Sequence, residues 1–238
     1  ACDPYFSIWS SADNLTDTNT THWTGKANRL TSSVQIDGQT FRVMGQKPTA
    51  VPALEQTSLE VLPTRTIYSF AGAGVKLTLT FMTAALPEDI DLLSRPVTYL
   101  TYTFASTDGK SHDVSFQFAA NGEITVNTGD QKVLATTEKI GKLTALRIGS
   151  EAQPILAKKG DDLRIDWGYL YVSANRAQAT GSLNAGMDGP VAGNTVEATL
   201  KFSNFKVGAK PVSRWLMVAY DDLYSIQYMR HNLRPYWR

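Results

Sequence analysis

A two-residue hydrophobic alternation runs through most of this chain and rules out most fold classes at once. In Val75-Lys76-Leu77-Thr78-Leu79-Thr80-Phe81 the apolar side chains share one face and Lys and Thr the other, as a half-buried antiparallel strand requires. The same alternation recurs in Val114-Ser115-Phe116-Gln117-Phe118 and Val196-Glu197-Ala198-Thr199-Leu200-Lys201-Phe202, and residues 97–104 are rich in Thr and Tyr, the composition of a pleated, half-buried surface. Asp37-Gly38 separates Val34-Gln35-Ile36 from Thr40-Phe41-Arg42-Val43, and both residues tolerate the positive φ of a tight hairpin. Asp108-Gly109 marks a looser connection before Val114. Further strands are read at 59–62, 66–70, 143–148, 163–172 and 214–219. About a dozen short strands without an internal repeat indicate a large antiparallel two-sheet β-sandwich, all-β, rather than a propeller.

The end of the chain departs from this habit. Between Asp222 and Asn232, Leu223, Ile226 and Met229, with Tyr224 and Tyr228 beside them, recur at three- and four-residue steps, which predicts a short helix near the C-terminus. Asp222 is then placed as its N-cap, although Asp221-Asp222 also reads as a strand-end acid pair with a raised pKa. Leu233-Arg234-Pro235 interrupts regular structure and reads as a junction.

At 238 residues, with 42% hydrophobic and 19% charged side chains, the chain has enough apolar surface for a sizeable core and lacks the signature of disorder. The formal net charge is +1 with no block of like charges, which speaks against nucleic acid and anionic membrane as partners. Cys2 is the single cysteine, so no disulfide framework or thiolate zinc site exists within the chain. No apolar stretch reaches the ~20 residues that span a bilayer. There is no basic-then-apolar leader, so the expectation is a soluble chain trimmed of any signal, with export left open.

Standard catalytic signals are missing from the sequence: no G-x-S-x-G, no H-E-x-x-H, no phosphate loop and no C-x-x-C. His22, His112 and His231 lack ligand spacing and read as surface or satisfied histidines, so no metal is assigned. Cys2 as an N-terminal nucleophile would require removal of Ala1. Glu88, Asp89 and Asp91 form an acidic loop that is more simply solvated than calcium-bound. Lys158-Lys159-Gly160-Asp161-Asp162 reads as a turn before a strand at 163–169 whose Arg164 and Asp166 share a face and can pair.

More unusual is the N-terminal stretch. Asp3-Pro4-Tyr5-Phe6-Ser7-Ile8-Trp9-Ser10 and His22-Trp23-Thr24-Gly25-Lys26 mix large aromatics with hydrogen-bonding groups, a mixture suited either to an amphipathic small ligand or to interdomain packing. Asn14-Leu15-Thr16 and Asn19-Thr20-Thr21 are formal glycosylation sequons and suggest a surface loop. Residues 1–45 are read as an aromatic segment packed on the sandwich, and 46–238 as the sandwich itself.

Those stretches, together with Ile36-Asp37-Gly38, Gly160-Asp161-Asp162-Leu163-Arg164-Ile165-Asp166-Trp167-Gly168-Tyr169 and Ala219-Tyr220-Asp221-Asp222-Leu223-Tyr224-Ser225-Ile226-Gln227-Tyr228, resemble the N-terminal region of glutaminase A-type proteins, a fungal-type family with bacterial relatives. The resemblance runs along essentially the whole chain. It implies a supersandwich-like front region that precedes a large helical domain, an α/α toroid absent from this sequence, with Arg234-Pro235-Tyr236-Trp237-Arg238 close to the junction. The implied reaction is hydrolysis of the glutamine side-chain amide to glutamate and ammonia, outside the cytoplasm (secreted or periplasmic), without a cofactor.

No catalytic residue carries over. Asp3, Tyr5, Trp9, His22, Trp23, Asp221, Asp222, Tyr236 and Trp237 are the candidate ligand or interdomain surface. The expected partners are the missing C-terminal domain and, in the longer protein, a small substrate, glutamine or a sugar. Two other readings remain at this stage. One is the front domain of a glycoside hydrolase, an analogy of architecture alone, whose carboxylate pair would lie mainly in the missing domain. The other is a carbohydrate-binding or assembly module with Trp9, Trp23 or Trp167 as stacking platforms.

Overall fold

The computed structural model describes residues 6–185 and 196–238. In chain order its strands are β1 (Leu30–Ile36), β2 (Gln39–Met44), β3 (Glu55–Leu62), β4 (Arg65–Gly72), β5 (Val75–Thr83), β6 (Val97–Ser106), β7 (His112–Asn121), β8 (Val133–Ile140), β9 (Leu143–Ser150), β10 (Tyr169–Asn175), β11 (Ala179–Ala185), β12 (Val196–Val207), β13 (Val212–Asp221), β14 (Ile226–Tyr228) and β15 (His231–Leu233). A one-turn helix, α1 (Ile90–Leu93), joins β5 to β6, with the Asp89 side chain accepting from the Leu92 N–H as its cap. Asp89 of the acidic loop is therefore a helix cap.

Two antiparallel sheets make the sandwich. One has the order β11-β12-β7-β1-β2, the other β3-β4-β5-β6-β13-β10-β9-β8, and β14-β15 forms a separate hairpin. The expected all-β sandwich is what the chain adopts. Asp37-Gly38 is the two-residue turn between β1 and β2, with φ of 48° and 86°, the left-handed pair that matches the strand twist.

The inward faces meet in an aromatic cluster. Phe116 of β7 stacks on Phe202 of the same sheet at 4.2 Å and on Tyr102 of β6, in the opposite sheet, at 4.4 Å. Phe104 and Phe205 close the cluster at 5.5 Å. Tyr102 is fully buried, and burial pushes its phenol pKa well up, so the hydroxyl stays protonated and donates to Ser32 Oγ of β1 at 2.9 Å. Ser32 Oγ in turn donates to the Gln117 carbonyl. One side chain thus joins the sheets through both its ring and its polar tip.

Two expectations from the sequence fail. Residues 222–232 do not form a helix: Leu223, Met229 and Arg230 have positive φ (58°, 45° and 68°), which breaks a helical path, and the chain turns back as the β14-β15 hairpin. Ile226, Tyr228 and Met229 are exposed, so the helical spacing had no surface against which to bury its stripe. Residues 163–168 are irregular rather than strand, and Arg164 and Asp166 do not pair.

Instead Arg164 is buried, and its guanidinium donates to the Ala27 and Asn127 carbonyls (2.7 and 2.9 Å) and more distantly to Asn28 Oδ1 and the Glu123 carbonyl. Desolvation lowers its pKa below the ordinary arginine value. Asp166 accepts from Gln131 Nε2 at 2.9 Å. Arg164 is therefore the pin between the N-terminal segment and the loops around 122–127 and 163–168.

At the end of the sandwich near the β1–β2 turn, His112 is 5% exposed, with Nδ1 2.7 Å from Asp37 Oδ2 and Nε2 3.0 Å from Asp108 Oδ1. Two carboxylate acceptors call for two N–H donors, so the ring is an imidazolium. Its pKa is raised by the hydrogen bonds to Asp37 and then Asp108. Asp108 is lowered to about 2 by the Lys110 N–H and then by His112, and Asp37 is lowered by the Asp113 N–H and then by His112. Gly74 lies against this ring, where a Cβ would come within 2.7 Å of His112 Cε1. The clamp thus joins the β1–β2 turn, the β6–β7 connection and the β4–β5 turn.

Phe116→Ala should cost about 3–5 kcal/mol in urea unfolding, the usual range for emptying a large aromatic from a core. For His112 the raised folded pKa means that its contribution is complete below the unfolded value near 6.5 and is lost as pH rises through the folded pKa. His112→Gln should therefore lower the melting temperature most at pH 6, with the gap to the parent narrowing by pH 9. A gap that widens towards pH 9 would show the ring to be neutral.

Candidate functional site

Two features of one end of the sandwich concentrate the candidate residues. The first is the corner that follows β13. Asp221 accepts from Arg238 Nε and Nη2 at 3.0 and 2.7 Å and from the Leu223 N–H at 3.0 Å, a bidentate grip that holds the C-terminal residues on the sheet.

Asp222 points the other way. It is 4% exposed, Ser225 Oγ donates to its Oδ2 at 2.5 Å, and its Oδ1 has no hydrogen-bond partner. Desolvation raises its pKa, opposed by the Ser225 hydrogen bond and assisted by the Asp221 charge. The pair lies at the end of β13, which closes at Asp221, and the helix-cap reading of Asp222 falls with the helix.

Trp167 and Gly168 form the floor of this corner. Trp167 Nε1 donates to the Tyr224 carbonyl at 3.0 Å, and Tyr220 Oη donates to the Trp167 carbonyl at 2.8 Å. Gly168 has φ of 78°, and a Cβ there would run into the Asp221 carbonyl oxygen, so the close approach needs glycine. Trp167 is 4% exposed, which removes it as a stacking platform.

The N-terminal segment reaches the same end. The Phe6 ring stacks on Tyr220 at 5.1 Å. Trp9 exchanges both backbone hydrogen bonds with Thr21, at 2.7 and 2.9 Å. His22 is buried, with Nδ1 3.0 Å from Thr24 Oγ1, and its ring lies 5.5 Å from that of Trp23. Trp9 and Trp23 are 59% and 53% exposed, Tyr236 is exposed and Trp237 half-buried. Asp3 and Tyr5 lie outside the described residues. The structure thus gathers Asp221, Asp222 and the C-terminal residues at one corner, and brings Phe6 to its edge. It keeps Trp23 beside His22. Asn14 of the first sequon is exposed.

The second feature is a cavity of about 680 Å³ between the N-terminal segment and the inner face of the larger sheet. Its floor is Tyr68, Phe81, Leu100 and Val218, and Trp9 stands among its walls. Thr66, Thr83 and Thr98 lie on the floor as well, with Thr83 Oγ1 and Thr98 Oγ1 2.9 Å apart. Sequence reasoning missed these residues. The available signal was threonine at inward positions of β4, β5 and β6, on the face where Leu77, Leu79 and Tyr102 are buried.

Among the described residues no group of three His, Cys, Asp or Glu side chains is arranged to hold a metal ion. No helix among them is long and apolar enough to cross a membrane.

Comparison with known proteins adds the following. The model of a domain of unknown function, DUF5127, matches residues 64–238, and that of a second, DUF4964, matches residues 1–55. Glutaminase A of Aspergillus oryzae (strain ATCC 42149 / RIB 40) is 28% identical over 140 residues, which cover 56% of this chain and 20% of that protein. The matched region thus spans one fifth of the relative's length.

Because the Asp222 pKa is raised, the folded state holds a proton that the unfolded chain releases above its ordinary value of 3.8, so wild-type stability falls as pH rises from there. Asp222→Asn lacks this loss. Its melting temperature relative to the parent should rise between pH 4 and pH 7; a constant difference would show that the carboxyl is ionised in the fold.

Proposed function

The chain belongs to the DUF5127 family, whose model covers residues 64–238, and on that footing we propose that it is the N-terminal β-sandwich portion of a glutaminase-like amidohydrolase. The likeness to Glutaminase A carries this reading. In it, the longer protein hydrolyses the side-chain amide of glutamine to glutamate and ammonia, outside the cytoplasm, and the catalytic groups belong to a larger helical domain.

The surfaces described above support a non-catalytic role for this portion. Asp221 is held by Arg238, and Asp222 is buried with one oxygen on Ser225 Oγ and the other without a partner. Among the described hydrogen bonds, the one hydroxyl in reach of either carboxyl, Ser225 Oγ, donates to Asp222, and no histidine or lysine joins them to complete a nucleophile–base relay.

The β14-β15 hairpin belongs to neither sheet and exposes Ile226, Tyr228, Met229 and Leu233. An isolated two-stranded hairpin is marginal in water, and exposed apolar groups of this kind suit contact with another domain. The remainder of the same polypeptide is the partner that this reading names.

Ammonia release from glutamine, followed in parallel for this chain and for the chain extended to the full length of its gene product, tests the reading. Turnover should occur only in the longer protein. Turnover by the 238-residue chain would overturn the non-catalytic assignment, and silence of both would remove the glutaminase reading.

A further inference from the structure

We infer that the cavity beneath Trp9 is a binding site for a neutral sugar ring. Its size is the first argument. The cavity is a half-open cleft whose rim includes the exposed Trp9 and Arg65, and about 680 Å³ lies within the range of small-molecule sites.

The second argument is the placement of polar groups. On β4, β5 and β6 the inward positions are apolar along the buried part of each strand, as at Phe70, Leu77, Leu79, Leu100 and Phe104. At the cavity the same inward rows end in Thr66, Thr83 and Thr98, which are cross-strand neighbours or nearly so: Thr83 pairs with Thr98, and Thr66 pairs with Phe81. A threonine on an inward row carries a hydroxyl in place of a methyl group that could pack, and although Thr83 and Thr98 bond each other, each oxygen keeps further hydrogen-bonding capacity. Three of them facing one space, beside Tyr68, Phe81 and Trp9, make a surface with an apolar part and a hydroxyl part.

The third argument is charge. Among the described residues that line the cavity there is no Asp, Glu, His or Lys, and the one charged side chain is Arg65, which is exposed. A free amino acid such as glutamine carries an ammonium that calls for an acidic partner, and the described lining residues offer none. The described lining residues likewise offer no carboxylate or imidazole to a metal ion.

Hydroxyls that both donate and accept are matched by ligand hydroxyls that do the same, and the C–H face of a pyranose suits an aromatic wall. The inference stands apart from the proposed amidohydrolase activity, because the cavity is unsuited to that substrate and its ligand need not reach the catalytic groups.

Titration of the 238-residue chain with glucose, galactose, mannose, maltose and cellobiose, followed by tryptophan fluorescence and calorimetry, tests it, with glutamine and glucuronate in parallel. At least one neutral sugar should bind saturably, and glutamine should not. Trp9→Ala, at an exposed position, and Thr83→Val, nearly isosteric, should each weaken binding by about tenfold, with Trp23→Ala changing it by less than about twofold.

Absence of saturable binding by every neutral sugar would overturn the inference. So would unchanged binding in both Trp9→Ala and Thr83→Val, or an equal loss in Trp23→Ala. If Thr83→Val fails to fold, Trp9→Ala decides alone. Ammonia release is a separate readout: sugar binding without glutaminase activity in the longer protein sinks only the hydrolase reading, and the converse sinks only this one.

Discussion

The contact of Phe116 with Tyr102 holds the two sheets in register, and most of the architecture depends on it. The two rings lie 4.4 Å apart across the sandwich, and the Tyr102 hydroxyl reaches Ser32 on the facing sheet. Stacked aromatics bury much area and prefer specific geometries, so the cluster resists sliding as well as separation. The hydroxyl adds a directional constraint in a place where any mismatch would leave a buried polar group unpaired. The N-terminal segment faces the ends of β4, β5 and β6 across the cavity, with Phe6, Ile8 and Trp9 on one side and Thr66, Thr83 and Thr98 on the other.

Electrostatics reinforces the ends that the core does not reach. His112 between Asp37 and Asp108 is a buried cation with two hydrogen-bonded counter-charges, and Arg164 is a buried cation held mainly by carbonyl oxygens. Buried charge is tolerated where its hydrogen-bonding groups are matched; His112 meets that condition through both ring nitrogens, and Arg164 through its two terminal nitrogens while its Nε stays unmatched. The loops are consequently tied to particular strands. Asp222 shows the other solution, a carboxyl that burial drives towards its neutral form.

Much of the fold was legible from local pattern. The alternations at 75–81, 114–118 and 196–202 became strands because a two-residue period is imposed by the pleat itself, and Asp37-Gly38 became a two-residue turn because few residue pairs accept two positive φ values. Edge strand β8 escaped notice because most of its residues are exposed and it has no continuous buried face, so nothing required its sequence to alternate. The helical spacing at 222–232 misled because periodicity reports a helix only where a surface waits to cover its stripe; here the chain folds back on itself. Of the candidate site, Asp221 and Asp222 were visible as a pair at a strand end. The threonine rows and the His112 clamp were not, since their members are far apart in sequence: Asp37 lies 75 residues from His112.

The sequence by itself determined the all-β class, the hairpin turns and the family, because these rest on short-range backbone preferences and on long shared stretches. Tertiary structure alone decided that His112 is clamped between two carboxylates, which of two adjacent acids is buried, which tryptophans are accessible and where the sheet leaves a cavity. Each of those depends on dielectric and packing supplied by residues distant in the chain, and a local pattern carries no record of them.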